Sequence, residues 1–355
     1  MSSFIMAGGG TGGHIIPAIA VAKELRRRGH EPFFIGTKRG LEAKLIPQAD
    51  LDIEWIEIGG LNRVSLAQRI KSVLQLPFSM LHVAAIIRSR KPKAVFSMGG
   101  YVAGPVVLAA RIMSLPVVVM EPNAIPGMTN RRMGRHVARA LINFPETARF
   151  FPEGRSELTG MPVRAEFFSL PPKPAGNTFT VLITGGSQGS RTLNNAGRDS
   201  WPLFRAAGLP ARFIHQTGTA QYEELARQFR EAGVTGEVTP FINDMPAAFA
   251  AADVVVCRAG ASTVSELAAA GKPSILVPFP FAADNHQQRN AEALAESGAA
   301  RVILDNDMNG QRFFDEVTRL ATSPDELREM AKKAREFAKP GAAERAADIL
   351  EELAV

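Results

Sequence analysis

A carboxylate and two amides stand near one another late in the chain. Glu266 follows Thr263 by three positions. Gln287 and Gln288 lie inside Asp284-Asn285-His286-Gln287-Gln288-Arg289-Asn290, seven polar residues in a row. A carboxylate can accept both hydroxyls of a vicinal diol, as an acid does for ribose in nucleotide sites. Glutamine amides carry donors and acceptors together and so suit sugar hydroxyls. The same spacing has a plainer reading, in which Thr263 and Glu266 form a capping box and the glutamines are merely solvated. Both readings stand at this point.

The elements around these residues follow from their pattern. Val254 to Cys257 is a short apolar run and reads as a buried strand. Arg258 to Ala261 is a tight turn, a helix is expected to start near Thr263, and Gly271-Lys272-Pro273 stops it. Ser274 to Val277 is the next strand. This is one βαβ unit, and its turn lies at the carboxyl end of a strand, where open α/β sheets bind ligands.

Glycine loops recur at the same kind of strand end. Phe4 to Ala7 reads as a strand, followed by Gly8-Gly9-Gly10-Thr11-Gly12-Gly13-His14 and a helix with Pro17 in its first turn, ending at Gly29. Bare amides before a helix favour a phosphate. Gly8, Gly10 and Gly13 also fit G-x-G-x-x-G, so a dinucleotide site enters consideration. The strand Pro32 to Ile35 ends in Gly36-Thr37-Lys38-Arg39, with no acid for an NAD ribose but two cations that suit a 2′-phosphate. Strands at Val95 to Ser97 and Val117 to Met120 lead into Met98 to Pro105 and Glu121 to Arg131. Three polar loops meeting in one crevice are a stronger signal than any one of them.

The pattern then restarts. Pro171, Pro172 and Pro174 read as a linker. Thr180 to Thr184 is a strand, Gly185 to Ser190 a glycine loop, and a helix follows. Further strands are expected at Phe213 to Gln216 and Val238 to Ile242. Pro340-Gly341 breaks the last helical stretch, and the helix Ala342 to Leu353 is expected to pack back on the first half. The fold class is therefore α/β, with two Rossmann-like, doubly wound parallel-sheet domains at residues 1–163 and 164–340 and residues 341–355 returning to the first.

Composition narrows the function. With 46% hydrophobic and 21% charged residues in 355, the chain suits a soluble protein with two large cores. One cysteine, Cys257, sits in an apolar run and excludes an internal disulfide. Met1 to Ala7 has no basic start and no long apolar run, so no signal peptide is read there, and cytosolic residence with at most peripheral membrane contact is expected. Asp50-x-Asp52 and Asp305-x-Asp307 are poor metal signals, and the six histidines lack ligand spacing, so neither metal nor cofactor is expected. Residues 1–161 hold 21 Lys and Arg against 11 Asp and Glu, a net of +10; the whole chain is +6, which leaves −4 for the rest. The first half therefore suits an anionic partner. No acid occurs between Glu57 and Glu121, while Arg63, Arg69, Lys71, Arg88, Arg90, Lys91, Lys93 and Arg111 do. In that interval Leu66, Ile70, Val73, Leu74, Leu81, Ile86 and Ile87 recur at near-helical spacing, interrupted at Pro77 and Phe78. Such a basic amphipathic segment can lie on an anionic leaflet; an ordinary helix with its apolar face in the core is the alternative.

Taken together, Gly9 to His14, Gly99 to Pro105, Glu121 to Arg131, Gly185 to Gly189 and Cys257 to Glu266 closely resemble the MurG family, the bacterial lipid-linked N-acetylglucosaminyltransferases of peptidoglycan synthesis. The resemblance runs from about Met6 to Ala300. It implies a GT-B fold with a cleft between two domains, UDP-N-acetylglucosamine as donor, and undecaprenyl-diphospho-N-acetylmuramoyl-pentapeptide as acceptor, with inversion, at the cytoplasmic face of the inner membrane and with no nucleic-acid partner. It also implies donor contacts from Thr11, Gly12, Gly13, Asn123, Arg164, Ser187, Ile242, the segment Ala261, Ser262, Thr263, Val264, Ser265 and Glu266, and Gln287. Gln188 and Gln288 stay beside their neighbours as candidates. Glu266 would hold the ribose diol, Ile242 the uracil through its backbone, and Gln287 the sugar. Ser187, the loop amides and Arg164 would face the leaving diphosphate, and His14 is the candidate base. The rivals are an NADP-dependent oxidoreductase, a non-enzymatic sugar-nucleotide binder, and a GT-B enzyme with a soluble acceptor.

Overall fold

The computed structural model describes residues 1–10, 12–59, 66–173, 176 and 178–354, and for residues 66–71 and 73 the backbone alone. The chain divides into two compact units. One is Met1–Val163 with Lys339–Val355, the other Arg164–Ala338.

The first unit is built on seven strands: β1 (Ser3–Gly8), β2 (Glu31–Gly36), β3 (Asp52–Trp55), β4 (Ala94–Gly99), β5 (Val117–Glu121), β6 (Arg139–Ile142) and β7 (Ser156–Leu158). They pair in parallel in the order β3-β2-β1-β4-β5-β6-β7. The direction of winding therefore reverses between β1 and β4. The central strands are apolar along their length because helices cover both faces. Those helices are α1 (Gly12–Arg27), α2 (Glu42–Gln48), α3 (Leu66–Arg90), α4 (Ala103–Ile112) and α5 (Met128–Met133). Val83, Ile86 and Ile87 of α3 and Val106 of α4 are buried with Ile5, Phe33 and Val95 of the sheet. Each such side chain contributes roughly 1.5–3 kcal/mol on burial.

The second unit has six strands: β8 (Phe179–Thr184), β9 (Ala211–Gln216), β10 (Thr235–Thr239), β11 (Val254–Cys257), β12 (Ser274–Leu276) and β13 (Ala300–Val302). Their order is β10-β9-β8-β11-β12-β13, again parallel, with the reversal between β8 and β11. The helices are α6 (Arg191–Ala206), α7 (Tyr222–Ala232), α8 (Met245–Ala251), α9 (Ala261–Ala270), α10 (His286–Glu296), α11 (Gly310–Ala321) and α12 (Pro324–Phe337). The last helix, α13 (Ala342–Glu352), packs on α1 in the first unit. Arg28 Nη1 reaches Asp348 at 2.6 Å and Glu351 at 2.9 Å, and Arg345 Nε reaches Glu157 at 2.6 Å.

Several elements differ from the sequence reading. The first helix starts at Gly12, so Gly12, Gly13 and His14 form its first turn and Pro17 lies in the second. The helix α3 runs unbroken through Pro77, where an interruption was expected, because its second half is anchored in the core. The strand expected at Val238 to Ile242 ends at Thr239; Pro240 has no N–H to extend the ladder, and Ile242 lies in the loop beyond. The helix α9 begins at Ala261, not near Thr263, and Gly260 precedes it without a side-chain cap. The short strands β3, β6, β7 and β13, with three or four residues each, carry too few positions for a periodicity signal.

Candidate active site

In the first unit the loops after β1, β4 and β5 come together at the carboxyl ends of the strands, beside the winding reversal. Gly100 adopts φ +84°, and a Cβ there would stand 3.3 Å from His14 Nδ1 and 3.2 Å from the Gly9 carbonyl. His14 Nδ1 lies 3.4 Å from the Gly9 oxygen. When Nδ1 carries the proton toward that carbonyl, Nε2 is left as the basic nitrogen. Thr129 Oγ1 donates to the Gly100 carbonyl at 3.0 Å, which ties the third loop to the second.

Two buried carboxylates hold these loops. Glu42 on α2 accepts the Gly10 N–H at 2.9 Å, the Thr37 N–H at 3.2 Å and the Thr37 hydroxyl at 2.7 Å. Tyr101 reaches the Thr37 hydroxyl at 3.0 Å. Gly9 gives Glu42 room, since a Cβ there would meet Oε1 at 2.9 Å. The expectation of bare loop amides open to a phosphate is thus corrected at Gly10, whose N–H is taken by this carboxylate. Glu121, at the end of β5, accepts from the Asn123 N–H, the Gly127 N–H and Asn130 Nδ2, each at 3.0 Å, and from Asn123 Nδ2 at 3.2 Å. Burial pushes its pKa up to about 6 against those bonds. Its role is to fold the loop that carries Asn123. Thr11 lies outside the described residues.

In the second unit Glu266 projects from α9 at the reversal between β8 and β11. Arg164 Nη2 is 3.9 Å from its Oε1, and a quarter of the Glu266 side chain is exposed. Burial pushes its pKa up to about 7, and Arg164 pulls the other way. Because α9 starts at Ala261, Glu266 is a mid-helix residue and cannot be the back-bonding partner of an N-cap. Geometry therefore removes the capping-box reading. Along the same helix Ser262 and Thr263 share its partly exposed face, while Ala261, Val264 and Ser265 are buried. The Val264 N–H is taken by the Gly260 carbonyl at 3.0 Å. The Val264 and Ser265 side chains are covered within the unit.

The two glutamines separate. Gln287 Oε1 accepts from the Ala259 N–H at 3.2 Å and the Phe279 N–H at 3.0 Å, so it bridges the loops after β11 and β12. Gln288 Nε2 instead donates along its own helix to Glu292 at 2.8 Å. Ser187 and Gln188 are exposed in the Gly185–Ser190 loop, and Ser190 caps α6 through Leu193 N at 3.3 Å. The Ile242 N–H donates to Gln216 Oε1 at 2.8 Å.

Sequence reasoning passed over Glu42, Tyr101, Asn130, Gln216, Arg258 and Asn290. Arg258 bonds Asp305 and the carbonyls of Val277 and Pro278, and Asn290 Nδ2 reaches the Ala259 carbonyl at 3.1 Å. They are polar residues beside glycine loops; Tyr101 meets the side chains of Thr37 and Glu42, and the other five bond backbone ten or more residues away. Nothing in local spacing marks that.

The chain matches the glycosyltransferase family 28 N-terminal domain over residues 4–142 and the glycosyltransferase family 28 C-terminal domain over residues 180–352. A relative from Solibacter usitatus is 61% identical over 99% of this chain and 96% of its own length. It is named UDP-N-acetylglucosamine–N-acetylmuramyl-(pentapeptide) pyrophosphoryl-undecaprenol N-acetylglucosamine transferase. The chain belongs to the MurG family of glycosyltransferases. A Myxococcus xanthus relative with the same name is 38% identical over 100% of this chain and 94% of its own length. The crystal structure of Acinetobacter baumannii MurG superposes with a TM-score of 0.86 at 32% identity, covering 99% of this chain and 100% of that one. The two parallel-sheet α/β units are those of a GT-B glycosyltransferase, as the resemblance implied.

Proposed function

We propose that this chain transfers N-acetylglucosamine from UDP-N-acetylglucosamine to the C4 hydroxyl of undecaprenyl-diphospho-N-acetylmuramoyl-pentapeptide, with inversion, at the cytoplasmic face of the bacterial inner membrane. One observation carries the reading. The three-quarters-covered Glu266, paired with Arg164 at the winding reversal of the second sheet, stands in a chain 61% identical to a relative named for that transfer. Glu266 accepts the ribose diol, the loop around Ile242 takes the uracil, and Gln287 faces the sugar. The acceptor oxygen attacks the anomeric carbon, its proton passes to His14 Nε2, and the diphosphate leaves with the bonding electrons. Arg164, Ser187 and the amides before α6 stabilise the charge that grows on it. Gln288, turned to Glu292, acts through the helix rather than on the sugar.

The membrane face is α3. Leu74, Phe78 and Leu81 recur at i, i+4 and i+7 and are all exposed, Phe78 to 74%. Among the described residues no helix is long and apolar enough to cross a membrane. An exposed apolar stripe in an acid-free basic interval suits peripheral contact with an anionic leaflet. Ile86 and Ile87, expected in the same stripe, belong to the core instead. Arg90 is also engaged elsewhere, with Asp52 at 3.0 Å, Glu54 at 3.6 Å and the Phe33 ring at 4.6 Å. The test of the whole reading is UDP release from UDP-N-acetylglucosamine with and without the lipid-linked muramoyl acceptor. Release that ignores the acceptor, or that follows a soluble sugar equally well, overturns it.

A further inference from the structure

Lys38 and Arg39 are two cations that the proposed transfer leaves unused. They follow β2, which ends at Gly36, and both are exposed. Among the described residues neither belongs to an ion pair. The turn that carries them is nevertheless braced against the site. Thr37 gives its N–H and its hydroxyl to one oxygen of Glu42, and the other oxygen takes the Gly10 N–H. Tyr101 joins the same knot: its hydroxyl meets Thr37 at 3.0 Å, and a Cβ at Gly10 would stand 3.0 Å from its ring. Burial raises the Tyr101 pKa, and the nearby charge of Arg39 pulls against it. The carbonyl of Gly9, next in the chain to Gly10, lies 3.4 Å from His14 Nδ1. His14 and the Lys38-Arg39 turn are thus two ends of one hydrogen-bonded rim.

We infer that Lys38 and Arg39 bind the carboxylates of the acceptor's peptide, which makes the turn after β2 a peptide subsite. This rests on the acceptor reading above. In a muramoyl sugar the peptide hangs from the lactyl group on C3, next to the C4 hydroxyl whose proton passes to His14 in that reading. The diphosphate is on C1, across the ring. The peptide therefore starts beside His14. Followed along the rim, the path from His14 Nδ1 to the Arg39 backbone is on the order of 20 Å, an upper limit on their separation. Five extended residues span about 17 Å, and a long cationic side chain covers the remainder. A pentapeptide ends in a carboxylate that is ionised at neutral pH. Glu42, the acid nearest in sequence, does not compete for the cations, because it is 0% exposed and its oxygens already take three donors. The diphosphate has a better partner in the start of α1 at Gly12, the positive end of a helix. Exposed cations hold a carboxylate only weakly in water, so this contact sets a preference among acceptors, while sugar and lipid supply most of the affinity.

The test measures transfer by the full chain to three lipid-linked muramoyl acceptors: one with the free pentapeptide, one with its carboxylates amidated, and one with a lactyl amide and no peptide. Wild type should show its lowest acceptor KM with the free pentapeptide. The double variant Lys38→Gln, Arg39→Gln should raise that KM about tenfold, roughly threefold per cation, with the donor KM and the urea midpoint unchanged. On the other two acceptors the variant should match wild type. The wild-type preference should shrink as salt is added. A KM raised equally on all three acceptors assigns the cations to the diphosphate or the leaflet and overturns the inference. A variant that matches wild type on every acceptor overturns it as well. So does wild-type protein that ignores amidation, a measurement that needs no variant to fold. Wild type that transfers to none of the three overturns the acceptor reading itself and is distinct from the others.

Discussion

Arg164 Nη2 and Glu266 Oε1 face each other across 3.9 Å, with the carboxylate three-quarters covered and the guanidinium nearly half exposed. Burial outweighs the cation, and the Glu266 pKa rises from 4.5 to about 7. The carboxylate form accepts a diol better than the acid form does. The donor KM should therefore rise as pH falls through about 7, with kcat less affected. Glu266→Gln should flatten that profile, and Arg164→Ala should move its midpoint upward. Donor kinetics that are flat in wild type between pH 6 and 8.5 would remove Glu266 from the site.

The same shift has a consequence for stability with the opposite sense. The folded state holds the Glu266 proton more tightly than the unfolded chain, so between about 4.5 and about 7 it binds more protons. Stability from this group is full below 4.5 and is lost as pH rises through 7, by on the order of 3 kcal/mol. Urea midpoints of wild type and Glu266→Gln, compared at pH 5 and pH 8, should converge at low pH and diverge at high pH in favour of the variant.

His14 is expected to act on the proton and not on the donor. His14→Ala should lower kcat by 10²–10⁴-fold with the donor KM nearly unchanged. Gly100→Ala provides an independent check. It forces a Cβ to φ +84° and to 3.3 Å from His14 Nδ1, and should also depress kcat while leaving UDP affinity alone. Near-normal turnover in His14→Ala would end its assignment as the base.

Glu42 holds the first glycine loop from beneath. Glu42→Ala strands the Gly10 N–H, the Thr37 N–H and the Thr37 hydroxyl, and should cost about 3 kcal/mol or more in urea unfolding. Unfolding no easier than wild type would show that the loop does not depend on it.

On the membrane side, Leu74→Ser, Phe78→Ser and Leu81→Ser together should abolish binding to anionic liposomes while UDP binding is retained. Arg88→Gln should weaken liposome binding, worth roughly 1 kcal/mol per basic residue, and the effect should fade in high salt. Arg90→Gln should instead lower stability through its lost partners Asp52 and Glu54. Liposome binding that survives the triple change would place the membrane surface elsewhere.

The alternation of apolar runs with glycine loops was enough to read two parallel-sheet units and the strand ends that carry function, because buried parallel strands must be apolar throughout and the chain must turn where it leaves them. His14, Glu266 and the polar run at 284–290 were legible as candidates for the same reason: they stand at or shortly after those turns. Helix starts were not. The start of α9 depended on whether Gly260 or Thr263 left the turn, and that choice took Glu266 out of the cap. Tertiary structure alone separated Gln287, which bridges two loops, from Gln288, which bonds its own helix, since the two are adjacent in sequence and identical in type. It alone divided α3 between the buried Ile86 and Ile87 and the exposed Leu74, Phe78 and Leu81, because helical spacing gives a stripe but not what covers it. Finally, Glu42 and Gln216 act over sequence separations of about thirty residues. Their partners are mostly backbone atoms and hydroxyls, which every sequence has in plenty, so only the fold could say which of them a buried polar side chain would meet.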